Sequence, residues 1–371
     1  MTGRITDAAQ AETIPTARIR QLTAQPARST PQDSDIAPPV RSLHLNESPF
    51  PPAPAVVDAM VAAATGLNRY PDHDGTLLVG DLAARFGVPA DRIVIGAGSN
   101  ELLYASADIA LDPGDEGIAP SPGFPTYAKT ITMRGATYIP VPTRDDGVVD
   151  VDATLKAITP RTRLVFVASP QNPTGGMMSA AEIETLVAGV PDHALLHFDE
   201  AYYEFGRHAG GPDALPILAK RSGPWISTRS FSKAFGLAGV RVGYGITGTA
   251  PLAEAYRKIR INFSVNAVAL AGARAALDQP DHLAQLLDHT RAERTRLAAG
   301  LAPLGFTALP SAANFITVVG PRPAPALAAA LSDANIFVVP IPWGENGALR
   351  ISIGSRADTD AVIATLRQVL G

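Results

Sequence analysis

Cysteine is absent from this 371-residue chain, which excludes disulfide bonds and metal sites built from thiolates. The seven histidines show no paired spacing typical of a zinc site. No apolar run reaches the roughly 18 residues that span a bilayer, and the segment from Met1 to Ala17 lacks the apolar core of a signal peptide. We therefore expect a cytoplasmic protein with no metal and no membrane partner.

Lysine is scarce as well, since it supplies only five of the 31 basic residues, and the formal net charge is −4. No run of basic residues forms the stripe typical of nucleic-acid-binding proteins, so no nucleic-acid partner is expected. The chain is 46% hydrophobic, which is enough to bury a large core. It is also too long for one compact unit, so we expect two domains.

Residues 1–40 carry several prolines among alanine and polar residues. Such a composition buries too little apolar surface to order itself, so it predicts a flexible N-terminal arm. The alternative is a segment that crosses to a partner subunit or covers a site.

After residue 92, short β-branched runs alternate with helical stretches, the pattern of βαβ units. It predicts an α/β fold with a seven-stranded, mainly parallel sheet and helices on both faces. The expected strands are 93–95, 116–119, 137–141, 164–168, 195–198, 225–228 and 242–246. A smaller α+β unit follows. The predicted domains are residues 41–262 and 263–371, and residues 41–65 could pack with the smaller one.

Polar residues follow several of these strands, at the sheet edge where open α/β sheets bind ligands. The turn Gly98-Ser99-Asn100 opens onto a helix whose free N–H groups suit a phosphate. The alternative is an ordinary tight turn in which Ser99 caps the helix. Asn172 follows the fourth strand between prolines, where it is either a ligand-binding amide or a turn residue.

Asp199 ends the fifth strand, which is expected to be buried. A buried carboxylate costs several kcal/mol unless a cation or strong donor meets it, so Asp199 implies a partner such as a protonated pyridine nitrogen. Its alternative role is to cap the next element. The nearby loop carries Tyr127, whose aromatic face could stack on a planar ring or belong to the core.

Lys233 lies among small and hydroxyl residues in the stretch Ser230-Phe231-Ser232-Lys233, and Arg241 follows eight positions later. Partial desolvation and a neighbouring cation lower the pKa of a lysine, so such a residue can act as a Schiff-base nucleophile. Alone, a lysine near glycines is more often an ordinary solvated side chain.

Together these motifs resemble those of the fold-type I aminotransferases that use pyridoxal phosphate. The shared motifs are Gly-Ser-Asn-Glu, Asn-Pro-Thr-Gly, Asp-Glu-Ala-Tyr, Ser-Phe-Ser-Lys with its arginine, and Ala-Leu-Arg-Ile-Ser at 348–352. Within that family, the turn Asn-Arg-Tyr-Pro-Asp at 68–72 is similar to the histidinol-phosphate and aromatic amino-acid aminotransferases. The resemblance covers about residues 43–368 and implies a transaminase that works as a homodimer.

The resemblance also implies a role for each motif residue. Lys233 would form the Schiff-base link and, once freed, act as the base for the substrate Cα proton, while Asp199 would pair with the pyridinium nitrogen. Asn172 and Tyr202 would hydrogen-bond the ring 3-oxygen, and Tyr127 would stack on the ring. The phosphate would be held by Gly98, Ser99, Asn100, Ser230, Ser232, Arg241 and the partner subunit's Tyr70. Arg350 would bind the substrate α-carboxylate, with Asn172 beside it.

One departure from the family bears on the substrate. Histidinol-phosphate aminotransferases usually carry an arginine about a dozen residues before the carboxylate-binding one, to hold the substrate phosphate. Here residues 336–343 contain no cation, so we predict that phenylalanine or tyrosine is preferred to histidinol phosphate, with 2-oxoglutarate as acceptor. Arg18, Arg20 or Arg28 of the arm could supply the missing charge.

Two other functions fit parts of the pattern. A decarboxylase of the same fold would keep every cofactor residue and would release CO2 rather than a keto acid. An effector domain of a transcription regulator would need a DNA-binding domain, for which the arm is too short and too poor in lysine.

Overall fold

The computed structural model of this chain describes residues 16–22 and 40–371. The predicted arm therefore falls outside the described residues except for 16–22 and residue 40. Residues 16–22 include the short helix α1 (Ala17–Arg20). Across the described ranges, every helix is too short or too polar to cross a lipid bilayer.

The main sheet has seven strands in the order β2-β8-β7-β6-β5-β3-β4. Strand β8 runs antiparallel to both of its neighbours, and the other pairs are parallel. The strands are β2 (Ile93–Gly96), β3 (Glu116–Ser121), β4 (Thr137–Pro142), β5 (Thr162–Ala168), β6 (Leu195–Asp199), β7 (Trp225–Ser230) and β8 (Gly243–Thr247). This topology confirms the predicted α/β class.

Alternate side chains of the central strands fill two apolar layers, one on each face of the sheet. On β5, Val165 and Val167 belong to one layer, whereas Leu164 and Phe166 belong to the other. Strands that are buried on both faces read as continuous apolar runs, which is why the sequence pattern predicts them well.

The helices that accompany this sheet cover its two faces. They are α3 (Thr76–Phe86), α4 (Ser99–Ala110), α5 (Pro125–Met133), α6 (Val151–Lys156), α7 (Ala180–Gly189), α8 (Tyr203–His208), α9 (Leu215–Leu218) and α10 (Ala250–Ile259). Helices α6 and α8 were not predicted, because they are too short to show a helical period. Helix α10 was not predicted either, although Thr249 caps it and Pro251 lies in its first turn.

A second sheet has four antiparallel strands in the order β12-β13-β10-β9. Its elements follow the helices α11 (Ala267–Leu277) and α12 (Pro280–Leu301), and are β9 (Thr307–Ala308), β10 (Phe315–Val319), α13 (Ala324–Asp333), β11 (Ile336–Phe337), β12 (Val339–Ile341), β13 (Ala348–Ser352) and α14 (Arg356–Leu370). The neighbouring short strands β11 and β12 pair with different partners, β1 and β13. Helix α13, rich in alanine, was not predicted.

The segment that leads into the large sheet also contacts the second one. Strand β1 (Arg41–Ser42) pairs in parallel with β11, and Leu43 belongs to the apolar cluster under the small sheet. Helix α2 (Pro54–Ala64) packs on α11, and its Val56 joins the cluster of the large sheet. The boundary expected between residues 262 and 263 stays a prediction.

Candidate active site

The carboxyl ends of β2, β3, β5, β6 and β7 meet at one edge of the large sheet, because these strands run in the same direction. A cavity of about 960 Å³ opens there, and part of the small sheet closes its other side. The predicted site residues that line it are Ser99, Asn100, Tyr127, Asn172, Asp199, Tyr202, Ser230, Ser232, Lys233, Arg241 and Arg350. Residues far apart in sequence thus form one site.

The glycine turn after β2 leaves the first N–H groups of α4 facing this cavity. Gly98 is the residue before the helix, with φ 76°, and Ser99 is its first helical residue. The interpretation of Ser99 as the helix cap is therefore wrong, since the capping position has no side chain. A Cβ at Gly98 would run into the guanidinium of Arg241, so glycine is needed where these two groups approach.

Hydroxyl groups and a cation surround the start of α4. Arg241 donates to the Ser232 hydroxyl at 3.3 Å and to the Ala238 carbonyl at 2.9 Å. Ser230 accepts a hydrogen bond from the Ser232 backbone N–H at 3.1 Å. A helix N-terminus, two hydroxyls and a guanidinium together form a site that fits a phosphate dianion.

Lys233 lies partly buried on the wall of the cavity, and its Nζ donates to the Leu45 carbonyl at 2.9 Å. Burial lowers the pKa of this lysine to about 8, and the positive charges of Arg350 and Arg241 contribute to the shift. At neutral pH a useful fraction of the amine is therefore unprotonated, as a Schiff-base nucleophile requires.

Asp199 ends β6 and is buried, and both of its nearest donors are neutral. The Tyr127 hydroxyl donates to its carboxylate at 2.7 Å, and the Ala201 N–H donates at 3.0 Å. Burial raises the pKa of Asp199 to about 6 in spite of these bonds. The next helix, α8, has Tyr202 at its capping position, so Asp199 is not its cap. A cation in the cavity would lower this pKa again and so favour the charged form.

The ring of Tyr127 is almost completely buried. It stacks on Phe166 with ring centroids 4.9 Å apart and an interplanar angle of 17°. Phe124 packs edge-on against it at 5.8 Å and also lines the cavity. Tyr127 therefore acts on Asp199 through its hydroxyl. Phe124 offers a second aromatic face to a bound ring, which was not predicted from the sequence.

A second polar chain runs from Tyr202 to Arg350. The Tyr202 hydroxyl accepts from the Asn46 side chain at 2.9 Å and from Asn172 at 3.2 Å. Arg350 donates to the Asn172 side-chain oxygen at 2.7 Å and to the His44 carbonyl at 2.5 Å. Asn46 was missed at the sequence level; its left-handed φ of 55° is tolerated best by asparagine among side-chain-bearing residues.

Tyr70 is the predicted cofactor residue that this chain does not bring to the cavity. Its side chain is 81% exposed, and its ring stacks on Phe263 with centroids 4.5 Å apart. Phe263 also has a left-handed φ of 58°. The pair forms an exposed aromatic surface next to Ile261, which is 71% exposed.

The wall beside Arg350 is apolar. Val339 of β12 pairs directly with Arg350 of β13, and residues opposite each other in antiparallel strands point to the same face. Pro340, Ile341 and Pro342 continue the cavity lining.

A cation lies elsewhere on the lining. Lys129 of α5 contributes to it, and its Nζ is 5.8 Å from the centre of the Tyr104 ring. Helix α1, which carries Arg18 and Arg20, contacts α5, whereas Arg28 lies outside the described residues.

Comparisons with known proteins agree with this geometry. The family model described as "Aminotransferase class I and II" matches residues 38–366. The chain is 36% identical to histidinol-phosphate aminotransferase 1 of Mesorhizobium japonicum, over 89% of this chain and 90% of that protein. It is 39% identical to an aromatic amino acid aminotransferase of Rhodococcus jostii, over 87% and 88% of the two chains. The crystal structure of histidinol-phosphate aminotransferase from Sinorhizobium meliloti, in complex with pyridoxal-5'-phosphate, has a TM-score of 0.88 at 30% identity and covers 96% of this chain and 98% of that one.

Proposed function

We propose, from the premise that this chain belongs to the class I and II aminotransferases, that its amino donor is an aromatic L-amino acid and its acceptor 2-oxoglutarate. The family makes the chain a pyridoxal-phosphate-dependent transaminase. Phenylalanine and tyrosine are the proposed donors.

The residues around the cavity fit pyridoxal phosphate. The start of α4, with Gly98, Ser99 and Asn100, would hold the phosphate together with Ser230, Ser232 and Arg241. Asp199 would meet the ring nitrogen, Asn172 and Tyr202 the 3-oxygen, and Lys233 the reactive carbon. Tyr127 and Phe124 supply the aromatic surface on one side of that space.

Bound pyridoxal phosphate supplies an electron sink for the bond that breaks at the substrate Cα. The chain supplies the rest of the chemistry. Lys233 moves the proton at that carbon as an amine with a lowered pKa. Arg350 holds the α-carboxylate, and its bond to Asn172 fixes the guanidinium plane for bidentate contact.

The proposal about the substrate rests on Val339, which pairs with Arg350. Val339 shares the cavity-facing side of the small sheet with Arg350, at the place where a substrate side chain would extend. A phosphate dianion against this wall would forgo charge-assisted hydrogen bonds worth roughly 1.5–3 kcal/mol each. An aromatic ring would instead bury its apolar surface there.

Histidinol phosphate is the second candidate, and Lys129 is the observation that favours it. This lysine lines the same cavity, so a phosphate directed toward α5 rather than toward β12 would meet a cation. Relatives from Mesorhizobium and Sinorhizobium are named for that substrate.

Steady-state kinetics with three donors distinguishes the two candidates. We expect kcat/KM for phenylalanine and tyrosine to exceed that for histidinol phosphate by about tenfold or more, the value of one charge-assisted hydrogen bond. Lys129→Gln should leave the aromatic donors unchanged. A higher kcat/KM for histidinol phosphate, lost in Lys129→Gln, contradicts the aromatic proposal and supports the second candidate.

We also propose that the protein is a homodimer in which Tyr70 reaches the cofactor phosphate of the other subunit. The exposed Tyr70–Phe263 stack and the exposed Ile261 support this, because a second copy would cover an apolar surface that water otherwise meets.

Light scattering of the holoenzyme should give twice the chain mass. Tyr70→Phe should keep the dimer and the stack on Phe263 but raise the dissociation constant for pyridoxal phosphate roughly tenfold, the cost of one hydrogen bond to a charged group. An active monomer at micromolar concentration would refute the shared site.

A further inference from the structure

We propose that His197 is a positioning residue that turns the Thr228 hydroxyl toward Asp199, and so keeps this carboxylate ionised and aimed into the cavity. The inference rests on the cofactor role proposed for Asp199. His197 itself is not among the residues that line the cavity, so it would act on a bound molecule only through other residues.

A continuous chain of hydrogen bonds lies behind Asp199. The Tyr256 hydroxyl of α10 is 2.6 Å from the Ser106 hydroxyl of α4, which is 2.6 Å from Nδ1 of His197. Nε2 of His197 is 2.9 Å from the Thr228 hydroxyl of β7. Thr228 pairs with Asp199 across the sheet, so the two side chains lie on the same face, and the Thr228 hydroxyl helps to lower the pKa of the carboxylate.

The strand geometry explains why these groups meet. His197 and Asp199 are two residues apart on β6, so their side chains point to the same face of the sheet. Helices α4 and α10 cover that face, in the same apolar cluster that contains Tyr127 and Phe166. Any residue at position 197 would lie there, but only a polar one can link Ser106 to Thr228.

His197 is neutral at any working pH, since complete burial lowers its pKa to about 3. It therefore stays uncharged, and what can vary is which ring nitrogen carries the hydrogen. A buried imidazole is costlier than the apolar side chains of Leu195, Phe166 and Ile226 around it unless its hydrogen bonds compensate.

The two tautomers of His197 differ in whether the Thr228 hydroxyl can donate a hydrogen bond to Asp199. With the hydrogen on Nδ1, His197 donates to Ser106, Nε2 accepts from Thr228, and the Thr228 hydrogen points away from the carboxylate. With the hydrogen on Nε2, Ser106 donates to Nδ1, Nε2 donates to Thr228, and Thr228 donates to Asp199. Every link then points toward the negative charge.

The negative charge of Asp199, at one end of this series of hydrogen bonds, decides between the two tautomers. With the hydrogen on Nε2, the Ser106 hydroxyl no longer donates to the Leu102 carbonyl. That carbonyl still accepts the backbone N–H four residues later in the helix. The other tautomer gives up a hydrogen bond to an ionised carboxylate, and such bonds are worth about twice a neutral one. We therefore assign the hydrogen to Nε2.

Thr228 then joins Tyr127 and the Ala201 N–H as a third donor to Asp199. Among the groups around this carboxylate, α5 contributes Tyr127, β7 contributes Thr228, and the following residue, Glu200, contributes a negative charge that opposes ionisation. Three donors to one carboxylate favour its charged form. Loss of one donor should show in catalysis as a lower kcat.

The tautomer is measurable directly in the cofactor-loaded enzyme. With ¹⁵N-labelled histidine, the ring nitrogens of His197 are assigned as the signals that vanish in His197→Gln. We expect a hydrogen on Nε2 and none on Nδ1 at every pH from 5 to 9. A hydrogen on Nδ1, or a titrating ring, overturns the proposal, and neither result depends on the substrate that the enzyme uses.

Two variants test the consequence. In His197→Leu the link to Thr228 is lost, and kcat should fall about tenfold with little change in KM for the amino donor. In His197→Gln the side-chain amide can donate to Thr228 as Nε2–H does, so most of kcat should return. Equal kcat in the parent and His197→Leu, or equal loss in both variants, contradicts a positioning role. A parent enzyme without transaminase activity would instead contradict the proposed function.

Discussion

Lys233→Ala should abolish nearly all transamination while leaving the fold intact. The side chain lies on the cavity wall and makes one hydrogen bond, to the Leu45 carbonyl, so its removal costs little stability. It would remove both the covalent attachment of the cofactor and the base for the substrate proton, a loss of at least about 10³-fold in kcat. Pyridoxal phosphate should still bind through the groups at the start of α4, but dialysis should remove it.

The matched control is Lys220→Ala, which removes an exposed lysine paired with Glu184. It should retain the activity and the cofactor of the parent. Near-normal turnover in Lys233→Ala, measured as keto-acid formation, ends the assignment of this lysine.

Asp199→Asn should lower kcat by at least about a hundredfold, the scale on which fixed charges stabilise a transition state. An amide of the same shape can accept from the Ala201 N–H through its oxygen and donate its NH2 group to the Tyr127 hydroxyl, which can turn to accept, so the fold should survive. It cannot balance a protonated ring nitrogen, so the electron sink is weakened.

Asp192→Asn is a suitable control because Asp192 accepts from the Ser222 hydroxyl at the surface and does not line the cavity. Circular dichroism should be unchanged in both variants. Full activity in Asp199→Asn would make Asp199 a purely structural carboxylate.

The sequence predicted the large sheet well because its strands are buried on both faces. Val165, Phe166 and Val167 lie in a continuous apolar run, which ends at a polar residue and a proline that mark the ligand-binding edge. The motif residues then met at this edge as expected, since parallel strands bring their carboxyl ends together.

Contacts between distant segments could not be predicted in this way. The sequence around each residue does not indicate that Asn46 would donate to Tyr202, or that the Tyr127 hydroxyl would donate to Asp199. His197 reads as one polar interruption in an apolar strand, and its link to Ser106 depends on how α4 crosses the sheet. The short helices α6 and α8 were not predicted, because six residues form fewer than two helical turns and show no helical period in the sequence.

The central claim is that Lys233 carries pyridoxal phosphate. Borohydride reduction of the holoenzyme fixes the cofactor to the lysine that holds it, and peptide mass mapping then identifies that residue. The chain offers only five lysines: Lys129, Lys156, Lys220, Lys233 and Lys258. We expect the pyridoxyl group on Lys233; a pyridoxyl group on any of the other four, or on none, contradicts the account.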